Sequence, residues 1–191
     1  MSQTIMQRNY LTRLAHLAAS AMPQLTSPRV NPDLTPQLPT LLADARAALP
    51  ASIAPQTLLC LEAGLHILAD DLDRAHTLCQ DVPGPLGSAW HAIVHRREPD
   101  FWNANYWWRR ASALSWSLPD GPLTTALHTL CTNAPDPRAR AWAAKFSTPT
   151  YDPTQLVALV EHHHRDPQLT LTIAELQRTE WLSLMHLTLT T

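Results

Sequence analysis

Residues 90–110 read WHAIVHRREPDFWNANYWWRR and gather side chains able to do chemistry in an otherwise charge-poor chain. His91 and His95 are four apart, so on a helix both imidazoles lie on one face. Two such imidazoles can grip one metal ion, with His76, His66, Glu98 or Asp100 as the third ligand. The same spacing also suits two histidines packed between helices, each bonded to a carbonyl or a carboxylate. An HxxxH pair without a fixed third ligand does not separate these readings, and no HExxH motif is present. Metal-free acid–base chemistry is the other option. Imidazole titrates near neutral pH, and a carboxylate beside it orients the ring and raises its basicity. His76, His95 and Glu98 supply those parts.

Four of the 14 cationic residues lie in the same run: Arg96, Arg97, Arg109 and Arg110. They could clamp an anion bidentately. Neighbours on a helix point about 100° apart, so at most one of each pair can face a shared pocket. Arg109 and Arg110 also suit the last turn of a helix, where cations complement the dipole. Trp90, Trp102, Trp107 and Trp108 are four of the seven tryptophans. They could stack on a base or sugar, although Trp108 reads as core. His162, His163 and His164 fan out around a helix and read as surface. Glu180 lies beside the apolar stripe of Trp181, Leu184 and Leu187, on a last helix that can fold back towards the central segment.

These side chains need helices to hold them, and the punctuation favours helices. Proline is abundant (17) and glycine scarce (4), which suits helices with sharp starts and stops; β-hairpins would want Asn-Gly or Asp-Gly between alternating apolar runs. Asp120-Gly121 sits between Pro119 and Pro122, so no sheet is expected. Met6, Tyr10, Leu14, Leu17 and Ala21 predict a helix over about 3–21. Pro23, Pro28, Pro32, Pro36 and Pro39 then predict an extended connector over about 22–40. A short helix follows at 41–49. The next starts near Pro55, with Leu58, Leu61, Leu65 and Leu68 on one face. Asp70 and Asp71 end it and cap a second helix reaching Gln80. Helices are expected at 86–97 and, from an Asp100 cap, to about 114. Others fall at 123–132, 137–146, 153–164 and 173–187. Asp136-Pro137 and Asp152-Pro153 each join an N-cap to a first-turn proline, and Thr172 with Glu175 fits a capping box.

A shift of 29 residues overlays one segment on another. Ala63 falls on Ala92, His66 on His95, Asp71 on Asp100, Leu72 on Phe101 and Ala75 on Ala104. The shared pattern is helix, histidine, acidic turn, bulky apolar residue and a small residue that lets two helices approach. This is the logic of helical-hairpin repeats. The expected fold is therefore all-α: stacked antiparallel helical hairpins, tetratricopeptide-like or an irregular bundle. The alternative joins residues 55–80 into one long helix.

The composition bounds the function. A chain of 191 residues is read as a single helical domain over 1–191, able to bury roughly 70% of its unfolded surface. Net charge is −2, so no global field recruits nucleic acid or an anionic membrane. Cys60, Cys79 and Cys131 are odd in number and make no CxxC pair, which argues against a disulfide framework and reads as small buried thiols. The opening MSQTIMQRNYLTRL lacks a basic-then-apolar leader, and no stretch of 18 uncharged apolar residues occurs. A reducing cytoplasmic home is expected.

The central run resembles a family of uncharacterised bacterial and fungal proteins of about this length, marked by a WHxIxHRREPDxxNAxYWxRR-like sequence. It is matched at Trp90, His91, His95, Arg96, Arg97, Glu98, Pro99, Asp100, Asn103, Ala104, Tyr106, Trp107, Arg109 and Arg110. The resemblance continues at Asp71, His76 and Gln80, with Ala75 where the family prefers Ser. It resumes at Asp152-Pro153 with Val157, and at Leu176-Gln177 with Glu180-Trp181. It implies a shared fold and a candidate site, not a reaction. The leading expectation is a small helical enzyme of hydrolase or lyase type acting on a small substrate that can carry negative charge. His76, His91, His95 and Glu98 would be catalytic, and Arg96, Asp100, Asn103, Tyr106 and Arg109 would bind substrate. The alternatives are a non-enzymatic hairpin module that binds a protein or peptide, and a metal-dependent enzyme with His91 and His95 as ligands to a divalent ion. Nucleic acid is disfavoured by the near-neutral charge.

Overall fold

The structure, a computed structural model, describes residues 3–21, 25–26, 29–50, 52–112 and 114–191. The fold is all-α, with ten α-helices among the described residues: α1 (Gln3–Ala21), α2 (Leu38–Ala48), α3 (Pro55–Leu68), α4 (Leu72–Cys79), α5 (Gly84–Arg97), α6 (Phe101–Arg110), α7 (Leu123–Thr132), α8 (Pro137–Ala141), α9 (Pro153–His163) and α10 (Thr170–Thr190). Pro55, Pro137 and Pro153 sit in first turns, where a missing N–H costs nothing. Asp71, Asp100, Asp136 and Asp152 cap α4, α6, α8 and α9 by accepting from the N–H of Arg74, Asn103, Arg138 and Thr154.

Several local expectations need correction. The proline connector is shorter than 22–40: Pro36 and Pro39 open a 3-10 turn (Thr35–Gln37) and α2 instead, because buried Leu34, Leu38 and Leu41 draw this stretch onto the core. Pro23 and Pro28 lie outside the described residues. Helix α6 stops at Arg110, short of 114, and Ala113 lies outside the described residues. The expected 137–146 helix breaks into α8 and a 3-10 helix, Trp142–Phe146. Thr172 and Glu175 form no capping box. Helix α10 starts at Thr170, whose hydroxyl donates to the Asp166 carbonyl, and Glu175 pairs with Arg178. A minimal antiparallel ribbon, β1 (Ser117–Leu118) with β2 (Gly121–Pro122), does form around Pro119-Asp120. Its support is tertiary: Ser183 on α10 donates its hydroxyl to the Ser117 carbonyl at 2.8 Å.

Residues 55–80 are a hairpin, not one helix. Asp70 turns the chain at φ 61°, a conformation that Asp tolerates better than most residues, and the Asp71 N–H donates back to the His66 carbonyl at 2.9 Å. The same bond recurs 29 residues on, from Asp100 to His95, also at 2.9 Å. Ala63, Ala75, Ala92 and Ala104, the small residues of the repeat, are fully buried.

Helix α5 is the axis of the larger core and packs on α3, α4, α6 and α10. Trp90 and Trp181 are fully buried; their indole N–H groups donate to Thr188 Oγ1 (3.1 Å) and to the Gly64 carbonyl (2.9 Å). Gly64 makes the approach possible, since a Cβ there would lie 2.7 Å from the Trp90 ring and 2.6 Å from Met185 Sδ. Helix α10 joins two cores: Ile173 and Leu176, with Leu169 at its N-cap, face the one built by α7–α9, while Trp181, Leu184 and Leu189 face the other. Among the described residues no helix is long and apolar enough to cross a membrane.

The C-terminal turn of α5 is anchored by two buried ion pairs. Arg96 donates to Glu180 at 2.5 Å and to Gln177 at 3.0 Å, and Tyr151 donates to the other Glu180 oxygen at 2.5 Å. Arg97 donates to Asp70 at 2.5 Å and to the Ile67 carbonyl at 2.9 Å. These contacts fix the helix that carries His91 and His95.

Candidate functional site

Helix α5 presents His91 and His95 one turn apart on the side facing α4 and α6. Helix α4 brings His76 to them. The three ring centroids are 4.6–5.0 Å apart, and one ring nitrogen of each lies within 4.8 Å of one from each of the others. His76 Nε2 and His91 Nε2 are 2.8 Å apart, so one ring donates the shared proton and the other accepts it. His91 and His95 are buried, and His76 is partly open. The indole of Trp107, on α6, lies 4.2 Å from the His91 ring and closes the far side.

Carboxylates stand behind two of the imidazoles. Glu98 sits 3.6 Å from His76 Nδ1 and 3.5 Å from His95 Nδ1, and Asp100 is 3.7 Å from His95 Nδ1. These separations exceed hydrogen-bond length, so the carboxylates act by charge. A negative group at Nδ1 favours the tautomer with the proton there, leaving the Nε2 lone pair free. Asp100 is itself held, accepting from the Asn103 side chain at 2.6 Å while capping α6.

The electrostatics favour uncharged rings. Burial pushes His91 down to about 3, with His95 and His76 adding to the effect. Burial also lowers His95, reinforced by His76 and opposed by Asp100. Burial raises the Glu98 carboxyl; His76 opposes this, and Asp73 and Asp100 add to it. Around neutral pH, His91 and His95 are therefore neutral bases. Their Nδ1 atoms are buried without a hydrogen-bond partner.

Of the residues singled out from the sequence, His76, His91, His95, Glu98 and Asp100 come together here, with Asn103 holding Asp100. Tyr106 and Arg109 lie on the exposed side of α6. Arg96 does not reach the site: it is fully buried and committed to Glu180 and Gln177, so its expected role at an anion is corrected to a structural one. Arg97 is likewise buried, against Asp70. His66 is apart from the cluster and paired with Asp71 at 3.0 Å. Trp90 and Trp108 are core, whereas Trp102 is 73% exposed. Glu180 folds back onto α5, but at Arg96. The three cysteines are free and buried.

Two neighbours of the site were not legible. Trp107 was one aromatic among several, and Arg110 was one of two adjacent cations. The Arg110 guanidinium lies 5.5 Å from the Trp107 ring centre and 5.8 Å from that of Tyr106, in the range for attraction to the ring faces. The hairpin itself held the signal: residues nearly equidistant from the Pro99-Asp100 turn, such as His91 and Trp107, face each other across it.

Three converging imidazoles can share protons, activate a water or hold a metal ion. Elsewhere, a groove of about 640 Å³ is bounded by α1, α7, α10 and the ribbon, and its charged groups, Arg8 and Asp120, pair with each other. It gathers no comparable chemistry. No protein-family model, curated protein or solved structure matches the chain.

Proposed function

We propose that this chain is a small hydrolytic enzyme whose active centre is the His76–His91–His95 cluster with Glu98 behind it. One observation carries the reading: three imidazoles and a carboxylate from two helices meet in one place, at the expense of burying rings with unpaired nitrogens. Such a cost is tolerated where chemistry needs it. A water held against the cluster would lose a proton to an imidazole and add to an electrophilic centre. The proton, relayed by His76 and Glu98, would pass to the leaving group. Substrate would approach over α6, where Tyr106, Trp107, Arg109 and Arg110 offer ring faces and positive charge to a small anionic molecule. The site belongs to the segment that resembles the bacterial and fungal family, and the cytoplasm is its expected compartment.

The test is a panel of small activated esters, amides and phosphoesters assayed with the full chain and with His95→Ala and His76→Gln. The expected loss on removing an acid–base group is about 10²–10⁴-fold, with the helical circular dichroism retained. Variants that lose helicity and melt early would make the histidines structural and end the reading.

A second reading, a module that binds a protein or peptide, is favoured by one observation. Trp102 is 73% exposed, and its ring lies nearly parallel to that of Tyr106, itself 38% exposed. Loss of partner capture on Trp102→Ala, with no hydrolysis by the wild type, would favour it.

A further inference from the structure

We propose that His76, His91 and His95 are the three protein ligands of a first-row divalent metal ion, with Glu98 orienting two of them from outside the coordination shell. The proposal rests on the hydrolytic reading above and names what activates the water. The internal repeat supplies its strongest argument. His66 and His95 occupy equivalent positions, each followed by an acidic turn residue. His66 is satisfied by a 3.0 Å bond to Asp71. His95 has its carboxylates at 3.5 and 3.7 Å, and its Nδ1, like that of His91, is buried without a hydrogen-bond partner. The repeat-equivalent histidine thus has a bonded Nδ1, and the cluster departs from that arrangement. Three clustered rings share a single ring-to-ring hydrogen bond. A cation bound at the inner ring nitrogens would hold together rings that otherwise only crowd one another, and would strengthen the pull of Glu98 on the Nδ1–H groups of His76 and His95.

The donor set selects the ion. Three imidazole nitrogens with no carboxylate directly in the ring suit zinc, cobalt, nickel, copper or iron. Calcium and magnesium would demand oxygen ligands. Cys79 lies at the end of α4, but its thiol is turned to the His76 carbonyl at 3.7 Å, so sulfur is not part of the set. A carboxylate at the far nitrogen of a ligating histidine is the usual outer partner of such sites, fixing tautomer and ring direction; Glu98 takes that position for both His76 and His95. The His76–His91 nitrogens, now 2.8 Å apart, would need to open to roughly 3.3 Å around a tetrahedral ion with metal–nitrogen bonds of about 2.0–2.1 Å. His76, the least buried of the three and on the short helix α4, is the ring free to yield. The Nε2 proton shared by His76 and His91 would move to the Nδ1 of the ring that carries it, so every ring binds as a neutral imidazole with its proton on the outer nitrogen. With three protein ligands the fourth position stays open for water, the arrangement of catalytic rather than structural zinc.

The experiment uses the full chain, stripped with EDTA and desalted. ZnCl2 is titrated by calorimetry, and CoCl2 is followed by its visible ligand-field bands. The expected result is one Zn²⁺ per chain, and Co²⁺ bands of a nitrogen-rich site of low coordination number. Glu98→Gln should weaken binding by about 10–100-fold, as outer-shell changes do, and His76→Ala by more than that. His76→Gln keeps the volume and serves if the alanine variant unfolds. His66→Ala and a triple variant at His162, His163 and His164 should bind as wild type. Substoichiometric uptake, binding that survives loss of His76, or binding lost with the His162–His164 triplet would overturn the proposal. Failure of the function is separable: zinc bound at this site without hydrolysis would end the hydrolytic reading alone, and His95-dependent hydrolysis by stripped protein would end the metal proposal alone.

Discussion

The hairpin α3–α4 and the hairpin α5–α6 are two versions of one unit, and the difference between them isolates the chemistry. Both turn on the same backbone bond, both cap the second helix with an aspartate, and both pack on buried alanines. At the positions 29 residues apart, His91 replaces Glu62, and Trp107 replaces Leu78. In the first hairpin, Glu62 reaches out to Arg74 at 3.4 Å and His66 bonds Asp71. Both of these groups are partnered within their own hairpin. In the second, His91 turns inward under Trp107 and meets His95 and His76. The scaffold is common to both. The site arises from putting one imidazole where the other hairpin carries a carboxylate paired with Arg74, and from the third imidazole that α4 contributes across the inter-hairpin seam.

Four measurements break or sharpen this comparison. The largest effect should come where the two hairpins are tied together. Asp70→Asn keeps the volume and the tolerance for positive φ but leaves the fully buried Arg97 without its counter-ion. Breaking a buried pair typically costs about 3–5 kcal/mol, read as a large fall in urea midpoint. A variant within 1 kcal/mol of wild type, on the order of a surface change, would mean the hairpins are joined chiefly by apolar packing.

The next effect is on pH. In chelator-treated protein the folded state holds His91 near 3, against an ordinary 6.5. Below 6.5 the unfolded chain takes up a proton that the folded chain refuses, so stability is complete above that pH and declines as pH falls from about 6.5 towards 3. The lowered His95 acts in the same direction. The melting temperature should fall over this window, and His91→Gln should flatten the profile. An unchanged slope in that variant would assign the acid sensitivity to other groups.

Smaller effects should distinguish the two caps. Asp71→Ala and Asp100→Ala each remove an N-cap, worth about 0.5–2 kcal/mol. Asp71→Ala should cost the more, because it also unpairs His66, yet only Asp100→Ala should alter hydrolysis or zinc affinity. The smallest change in stability belongs to Trp102→Ala. This residue is 73% exposed, and a surface change of this kind should stay within about 0.5 kcal/mol. A larger destabilisation would mean that its ring stacking on Tyr106 supports α6.

The elements were legible where local chemistry sets them. The bounds of α1 and α7, the first-turn prolines of α3, α8 and α9 and the caps at Asp71 and Asp100 follow from spacing and from orphaned backbone groups. Two of the misses share a cause. The ribbon at Ser117–Pro122 and the early start of α2 depend on what other elements offer: a hydroxyl on α10, and a core that takes up Leu34, Leu38 and Leu41. The candidate residues divide in the same way. His91 and His95 could be paired from their spacing, because a helix turn is a local object. Arg96 could not be separated from the site, because its counter-ion, Glu180, lies 84 positions away.

By itself, then, the sequence determined an all-helical chain, a repeated hairpin and a short run crowded with imidazole, carboxylate and guanidinium. Periodicity, caps and prolines act within a few residues and are written in order. The tertiary structure decided which of these groups meet. It brought His76 across from α4 and set Glu98 between two rings. It sent Arg96 and Arg97 into the core and laid Trp107 over His91. Helix directions, hairpin packing and the burial that makes His91 a neutral base are properties of the assembled core, where distance in space replaces distance along the chain.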